Sequence, residues 1–528
     1  MQGIRPYLPI AVIALVCVVA DFAVTHTQAL GMLDESYLWY GVWRTSLGEV
    51  PIRDFQAYDP LRYYWGAVWV WLLGDGIVAM RASGAILKFF MLLAGLSVLQ
   101  RYIRAKWLLA LAAVVMTVWA SHFENAAGYF ISVLAIWVGT RLMEQPSLRR
   151  HLWAGVFVGV AALVGRNHGV YGLTIFSVLM AIAWWQGGGD AWRRIRAFAS
   201  GVVAGYSPML LMWLLVPGFF NAFYDNLRSL LTSIASAGGS ANLSKPIPWP
   251  WRVDVASMDA LGATRDLVFG GLLVLLALVP LLVLIYLWTG SKPQSGRQSS
   301  SPHGALYATA VTGLVYVHYC YSRADISHFA DAAQPFFMLL FMVPVLAFVG
   351  WPRRAVWLTC GATILTAVWL LWSVHPVVAR MAHPQAFKQV EIRGDSLWMS
   401  ARYAAEIASV RRVVRGLVRD GEGILFAPHR PGMYLLTDRP APIKTIYFLT
   451  RKDESDREMI AALDEKKVHT VLLTRSGIDG RADLTFAALH PELYGYLQAE
   501  YRPGQLWYWG LPPYYELFRR DVAVSTGK

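Results

Sequence analysis

Charge is what this sequence is short of. Of 528 residues only 15% are Asp, Glu, Lys or Arg, against about 25% in soluble globular proteins, which excludes a large soluble enzyme of several domains. Cysteine is nearly absent. Cys17, Cys320 and Cys360 all lie inside apolar runs, so there is neither a disulfide framework nor a metal-ligand spacing. No glycine-rich phosphate loop follows a strand-like segment, and no internal repeat is visible. What fills the chain is apolar sequence, 56% of it, in runs of about 15–23 residues that suit a bilayer core ~30 Å thick. Composition therefore indicates a polytopic α-helical membrane protein.

The runs fall at about 7–25, 79–100, 107–121, 127–140, 152–165, 169–186, 197–216, 267–289, 304–320, 332–350 and 355–374, giving about 11 expected transmembrane helices. Basic residues orient them, because Lys and Arg are retained in short cytoplasmic loops. With a cytoplasmic N-terminus at Arg5, every inner loop carries them: Arg101, Arg104 and Lys106; Arg141, Arg149 and Arg150; Arg193, Arg194 and Arg196; Lys292 and Arg297; Arg353 and Arg354. Only Glu144 and Asp190 oppose them on that side. The net charge of +13 thus arises mostly from topology, and nucleic acid is not an expected partner. The first run is read as a retained signal-anchor helix, since no clean small-residue cleavage site follows it.

Beyond about residue 375 the character changes. Of the 81 charged residues, 40 lie in 376–528, so this part is water-soluble, and an odd number of spans places it outside. Helix-like 401–419, strand-like 423–427, helix-like 455–466 and strand-like 468–473 lead into an aromatic end, 506–509 and 514–518, read as strand-rich. The expectation is a small α/β domain at 376–528 after a membrane domain at 1–375. The Ser/Gly/Pro-rich stretch at about 290–304 reads as a flexible cytoplasmic linker.

The outer loops hold the candidate chemistry. The first, about 26–78, contains Asp34 and Glu35 at the start of a helix whose Leu38, Trp39, Val42 and Trp43 share one face, the pattern of an interfacial helix. A carboxylate at that helix N-terminus is stabilised by the dipole; an ordinary acidic cap and a catalytic acid are both compatible with it. Three more outer positions bring polar groups to membrane level: Ser121-His-Phe-Glu-Asn125, Gly165-Arg-Asn-His168 and Tyr321-Ser-Arg-Ala-Asp-Ile-Ser-His328. Each alone reads as a solvated turn. Gathered on one face, such costly groups point to function. Lys88, inside the second apolar run, must snorkel, pair or face the bundle interior.

The array Asp34-Glu35, Tyr37, Gly48, Pro51, Asp54-Phe55, Pro60 and Tyr63-Tyr64 resembles the first outer loop of the C-fold (GT-C) membrane glycosyltransferases, bacterial relatives of the protein O-mannosyltransferases and the lipid A aminoarabinose transferase. Arg323-x-Asp325-x-x-His328 is similar to a late-loop pattern of bacterial members, and Pro431 with Tyr434–Pro440 to a segment of their C-terminal domains. Two features depart from those relatives: there is no inserted sugar-binding domain between late spans, and Tyr58-Asp-Pro-Leu61 stands where the aminoarabinose transferase has Lys-Pro-Pro-Leu.

The resemblance implies a GT-C-like fold and an inverting transfer of sugar from a polyprenyl-phosphate donor to a lipid, polysaccharide or protein acceptor at the outer face of a bacterial inner membrane. It assigns Asp34 as general base, Glu35 as its neighbour and possible substitute, and Glu124 as a residue orienting the acceptor or tuning Asp34. Arg323, Arg166 and His328 become donor-phosphate candidates, with Lys88 and Arg62 as weaker ones. Asp325, Asp54 and Tyr63 are supporting residues. Asp34, Glu124, His122 and His328 lack a ligand spacing, so no metal or other cofactor is expected. The competing readings are an O-antigen polymerase or ligase, whose main loop comes late in the chain, and a lipid-linked-sugar flippase, which favours midplane sites and repeated halves.

Overall fold

The computed structural model describes residues 7–121, 125–187, 190–236, 245–290, 303–345, 352–448 and 454–520. In chain order the helices are α1 Leu8–Thr25, α2 Asp34–Ser46, α3 Leu61–Leu73, α4 Ile77–Leu99, α5 Lys106–Ala120, α6 Ala126–Glu144, α7 Leu148–Val164, α8 Arg166–Gly187, α9 Ala191–Leu215, α10 Phe219–Ser236, α11 Ala260–Gly290, α12 Gly304–Ser322, α13 Ile326–Met342, α14 Arg353–Trp372 and α15 Pro376–Ala382. The chain forms two compact units. One comprises Met1–His26, Ala82–Leu211 and Ser244–Ala382; the other comprises Thr27–Arg81, Met212–Leu243 and His383–Lys528.

The first unit is a helical bundle, and each of the eleven apolar runs falls on a helix, the end of the run at 332–350 lying outside the described residues. Among the described residues eight helices are long and apolar enough to cross a membrane: α1, α4, α6, α8, α9, α11, α14, and α13 continued to Val345. The other three runs form α5, α7 and α12. α5 has 15 residues, about 22 Å of helix, short of the hydrocarbon thickness. α12 buries Tyr307, Thr309, Thr312 and Tyr316 inside the bundle, so most of its polar side chains are sheltered there. The chain is a multi-pass membrane protein. Outward-facing apolar side chains on α1, α9 and α14, among them Val16, Val203 and Leu365, make the belt that lipid covers.

Close packing between helices comes from small residues. A Cβ built on Gly155 or Gly159 of α7 would lie 2.0 Å from Phe198 O and 2.4 Å from Val202 O of α9, and one on Gly201 or Gly205 would lie 2.1 or 2.2 Å from the α7 carbonyls of Leu152 and Val156. Two small-xxx-small stripes thus face each other and let the backbones touch. Pro280 of α11 and Pro335 of α13 both come within 3.6 Å of where Gly313 of α12 would carry a Cβ.

The two ends of the bundle differ. At one end Arg101 is paired with Glu144, Arg141 Nη2 donates to Tyr7 Oη at 3.3 Å and Arg150 Nη1 donates to the Arg141 carbonyl. The end of α5, the starts of α6, α8 and α13 and the end of α12 carry the opposite set of residues.

The second unit holds the first outer loop together with the C-terminal region. The hairpin of β1 Phe387–Ile392 and β2 Asp395–Ser400 turns through Arg393 and Gly394, both at positive φ, as a tight two-residue turn requires. Beyond it come α16 Ala401–Leu417, β3 Ile424–Ala427, α17 Gly432–Leu436, α18 Asp456–Glu465, β4 Thr470–Thr474, α19 Phe486–Leu489, α20 Pro491–Glu500, β5 Arg502–Pro503, α21 Leu506–Trp509 and β6 Tyr515–Arg519. The four-stranded sheet has the order β3-β4-β6-β5, with β3 and β4 parallel and the other pairs antiparallel. Leu425, Phe448, Met459, Leu463, Val471 and Leu497 fill its core. The small C-terminal α/β domain is therefore present, with one correction. Residues 506–509 are a helical turn, not strand, because Gly510 in the left-handed region (φ 66) closes it as a C-cap. The stretch read as a linker lies almost wholly outside the described residues.

Candidate functional site

In the second unit Asp34 and Glu35 open α2, as the sequence suggests, but they do different things. Asp34 is on the exposed side of the first turn. Glu35, 6% exposed, is held by Arg81: Nε donates to Oε1 at 2.7 Å and Nη2 to Oε2 at 2.9 Å, while Gly31 N donates to Oε2 at 2.8 Å. The same guanidinium donates to the carbonyls of Gln28 (2.9 Å) and Ala29 (2.7 Å). It thus staples the chain entering α2 and fixes where the exposed carboxylate of Asp34 stands.

The rest of the loop is braced just as firmly. Asp54 accepts from Arg53 Nε (2.7 Å) and Nη2 (2.8 Å) and from Val50 N (2.7 Å). The Arg53 bonds, with the Val50 N–H, outweigh burial and hold its carboxyl below the usual range. Tyr63 is fully buried, its Oη accepting from Tyr58 N at 2.9 Å. Its ring fills the place a Cβ on Gly41 would need, which seats α3 on α2. Arg62 lies over the Tyr58 ring, 5.1 Å from its centre, and Tyr58 packs edge-on against Tyr37 at 5.1 Å, one helical turn along from Asp34.

In the first unit Arg323, Asp325 and His328 do come together. Asp325 caps α13. Its Oδ1 accepts from His328 N at 3.0 Å and lies 2.8 Å from His328 Nδ1, while Oδ2 accepts from Arg323 Nε at 2.8 Å. Burial alone would raise the Asp325 carboxyl, but the bonds to His328 and Arg323 outweigh it and hold it well below the ordinary carboxylate range. Lys245 Nζ is 4.0 Å from Oδ2. One anion is thus shared by three basic side chains, a cluster in which positive charge exceeds negative. Behind it Tyr319 lies 5.6 Å from the His328 ring and accepts at Oη from Asn125 Nδ2 (3.3 Å). His168, buried, stacks on Tyr316 and Tyr319 and has Nδ1 3.1 Å from Tyr316 Oη. Arg166 opens α8, two residues before it.

Lys88 pairs with Asp21 of α1 at 3.2 Å and donates to Ser121 O at 3.4 Å, which answers how an intramembrane ammonium is accommodated. Ser121 Oγ is 3.1 Å from His375 Nε2. Arg265, at the start of α11, donates from Nη2 to Ser373 O at the end of α14 (3.0 Å). The turn after α5 therefore has one polar group on each side: Ser121 toward Lys88 and His375, Asn125 toward Tyr319. Glu124 and His122 lie between them, outside the described residues.

Sequence reasoning passed over Asp21, Lys245, Arg265, His375 and Asp331. Asp331 is 8% exposed, sits near Asn125 and Tyr129, and its Oδ1 receives no hydrogen bond among the described residues. Asp21 carried a readable signal, an acid within an apolar run, and Asp331 directly precedes one. Lys245 carried none. Among the described residues no group of three or more His, Cys, Asp or Glu is placed to hold a metal ion.

No protein-family model matches the chain, and no curated protein does either. Several solved structures are similar to it, three of them as follows. ArnT from Cupriavidus metallidurans bound to undecaprenyl phosphate is 11% identical, with a TM-score of 0.48 over 100% of both chains. The archaeal oligosaccharyltransferase AglB from Archaeoglobus fulgidus, in complex with an inhibitory peptide and a dolichol-phosphate, is 11% identical with a TM-score of 0.44, over 89% of this chain and 70% of that one. The Archaeoglobus fulgidus oligosaccharyltransferase in its apo form is 13% identical with a TM-score of 0.46, over 94% and 73%.

Proposed function

We propose that this protein is an inverting glycosyltransferase that moves a sugar from a polyprenyl-phosphate carrier to an acceptor hydroxyl at the non-cytosolic face of the membrane. The observation that carries this reading is the arrangement at α2: Glu35 is buried and held by Arg81, and beside it on the same braced turn Asp34 is exposed. In the reaction the acceptor hydroxyl gives its proton to Asp34 and its oxygen forms a new bond to the anomeric carbon. The bond from that carbon to the phosphate oxygen breaks, and polyprenyl phosphate leaves with the electron pair. General-base assistance of this type contributes about 10²–10⁴ in rate.

The departing phosphate needs positive charge. The Arg323, Lys245 and His328 cluster supplies it, with Asp325 orienting the guanidinium, and a charge-assisted hydrogen bond there contributes about 1.5–3 kcal/mol. Arg166 and Arg62 are secondary anion candidates, and Glu124 is proposed to orient the acceptor. Since these side chains provide the electrostatics, the reaction is proposed to need no resident metal.

The test is transfer in proteoliposomes containing radiolabelled polyprenyl-phosphate sugars and envelope acceptors. Asp34→Asn is expected to abolish turnover while retaining donor binding, and Arg323→Ala to weaken donor binding about tenfold or more, the equivalent of ~1.4 kcal/mol. Normal transfer by Asp34→Asn refutes the assignment of the base. Loss of transfer by the wild type in a chelator refutes the metal-free proposal.

A further inference from the structure

Helix α16 turns two unlike faces to its surroundings. Inward, Ile407, Val410, Val413 and Val414 are buried. Glu406 is buried with them and accepts from Arg430 Nη1 (2.7 Å), Tyr514 Oη (2.8 Å) and Tyr515 Oη (2.5 Å). Outward, Arg412 and Arg415 are exposed, with Arg419 just past the helix end. Spacings of three and four put these three on one stripe. Glu406 is the sole acid of α16, so no carboxylate of the helix itself offsets that stripe.

The turn α21 lies along it. Ser409 Oγ donates to Gly510 O at 2.8 Å, Arg412 Nη2 donates to Trp509 O at 3.1 Å, and the Trp509 ring occupies the space a Cβ on Gly416 would take. Fixed in this way, α21 presents Trp507 at 76% exposure and Tyr508 at 67%, their rings 6.1 Å apart. A water-facing domain rarely displays two adjacent large rings, and a patch of that kind marks a binding surface.

What covers it follows from charge and reach. Rings alone fit a neutral sugar or an apolar protein groove. Rings beside a stripe of three arginines, with Asp420 and Glu422 only at its far end by Arg419, fit a layer that is apolar beneath and anionic on top, as at lipid headgroups. Reach agrees: α14 ends at Trp372 and β1 starts at Phe387, so fourteen residues, α15 among them, separate the two. That tether spans at most ~50 Å even fully extended.

We propose that α21 and the arginine stripe of α16 form a docking surface for the anionic headgroup layer of the bilayer the chain itself spans. This goes beyond glycosyl transfer and stands whether or not that reading holds.

The experiment uses the full chain in nanodiscs of phosphatidylcholine with or without phosphatidylglycerol, with a nitroxide on Tyr508→Cys and the unsubstituted chain as the labelling blank. The expected result is a several-fold gain in relaxation by oxygen and a matching loss of relaxation by an aqueous nickel chelate in the anionic discs. Adding Arg412→Glu and Arg415→Glu should reverse both. Hydrogen exchange of residues 506–510 in the unsubstituted chain gives the same comparison without a label, protection appearing only with phosphatidylglycerol. A label equally open to the chelate in both discs, with no change in exchange, overturns the proposal. So does protection by a soluble anionic polysaccharide where anionic lipid gives none, which identifies a glycan as the occupant.

Discussion

Asp34 and Glu35 are one peptide bond apart and sit in opposite environments. Removing the charge of Glu35 would leave the Arg81 guanidinium, itself largely buried, against backbone carbonyls without its anion. Glu35→Gln should therefore cost on the order of 3 kcal/mol, read as a fall in thermal unfolding temperature. The sequence places both acids at a helix start but cannot rank them, because the partner of Glu35 lies 46 residues downstream.

His429 is a second case where burial decides. Burial, reinforced by the Arg430 and His490 charges, outweighs nearby backbone carbonyls and pushes its imidazole down to about 4. An unfolded histidine takes up its proton near pH 6.5, so the unfolded state binds more protons as pH falls from about 6.5 towards 4. Stability of the second unit should decline through that window and be flat above it. His429→Phe should flatten the decline, measured by thermal unfolding at pH 4.5 and 7.

At the scale of elements, eleven apolar runs became eleven helices because run length and composition are local properties. Which helices touch was written less plainly. Gly155-x-x-x-Gly159 and Gly201-x-x-x-Gly205 are visible in the sequence, but reading them as one interface requires knowing that α7 and α9 are neighbours. A Cβ at Gly159 must push against the Val202 carbonyl, so Gly159→Ala should destabilise by about 1–3 kcal/mol. Gly271→Ala in α11, with nothing within 4 Å of the new methyl, should be neutral or slightly stabilising. Equal unfolding temperatures for the two variants would contradict the close approach. The helical turn at 506–509 was misread for a related reason: aromatic composition favours strand, while the glycine that ends the turn acts through backbone conformation.

At the scale of the molecule, the part least legible in the sequence is that the first outer loop and the C-terminal domain make one compact unit although more than 300 residues separate them. The two segments that carry the glycosyltransferase resemblance there are in direct contact: Gly432 of α17 lies against Ser36 of α2, and the Tyr434 ring is 5.5 Å from that of Tyr40. Gln56 does most to join them. Its Oε1 accepts from Ile446 N (3.0 Å) and Tyr447 N (2.9 Å), its Nε2 donates to Tyr447 O (3.2 Å), and its backbone N donates to Lys444 O (3.0 Å). An isosteric apolar replacement keeps the volume but strands two buried N–H groups and a carbonyl, at about 1–3 kcal/mol for each unsatisfied group. Gln56→Leu should therefore raise hydrogen exchange at 50–60 and 443–448 together, because each segment holds the other, while exchange within α12 stays unchanged. If α2 owes its fixed geometry to this seam, transfer should fall in the same variant through turnover rather than donor affinity. Faster exchange at 50–60 alone would mean that the loop keeps its shape without the C-terminal domain.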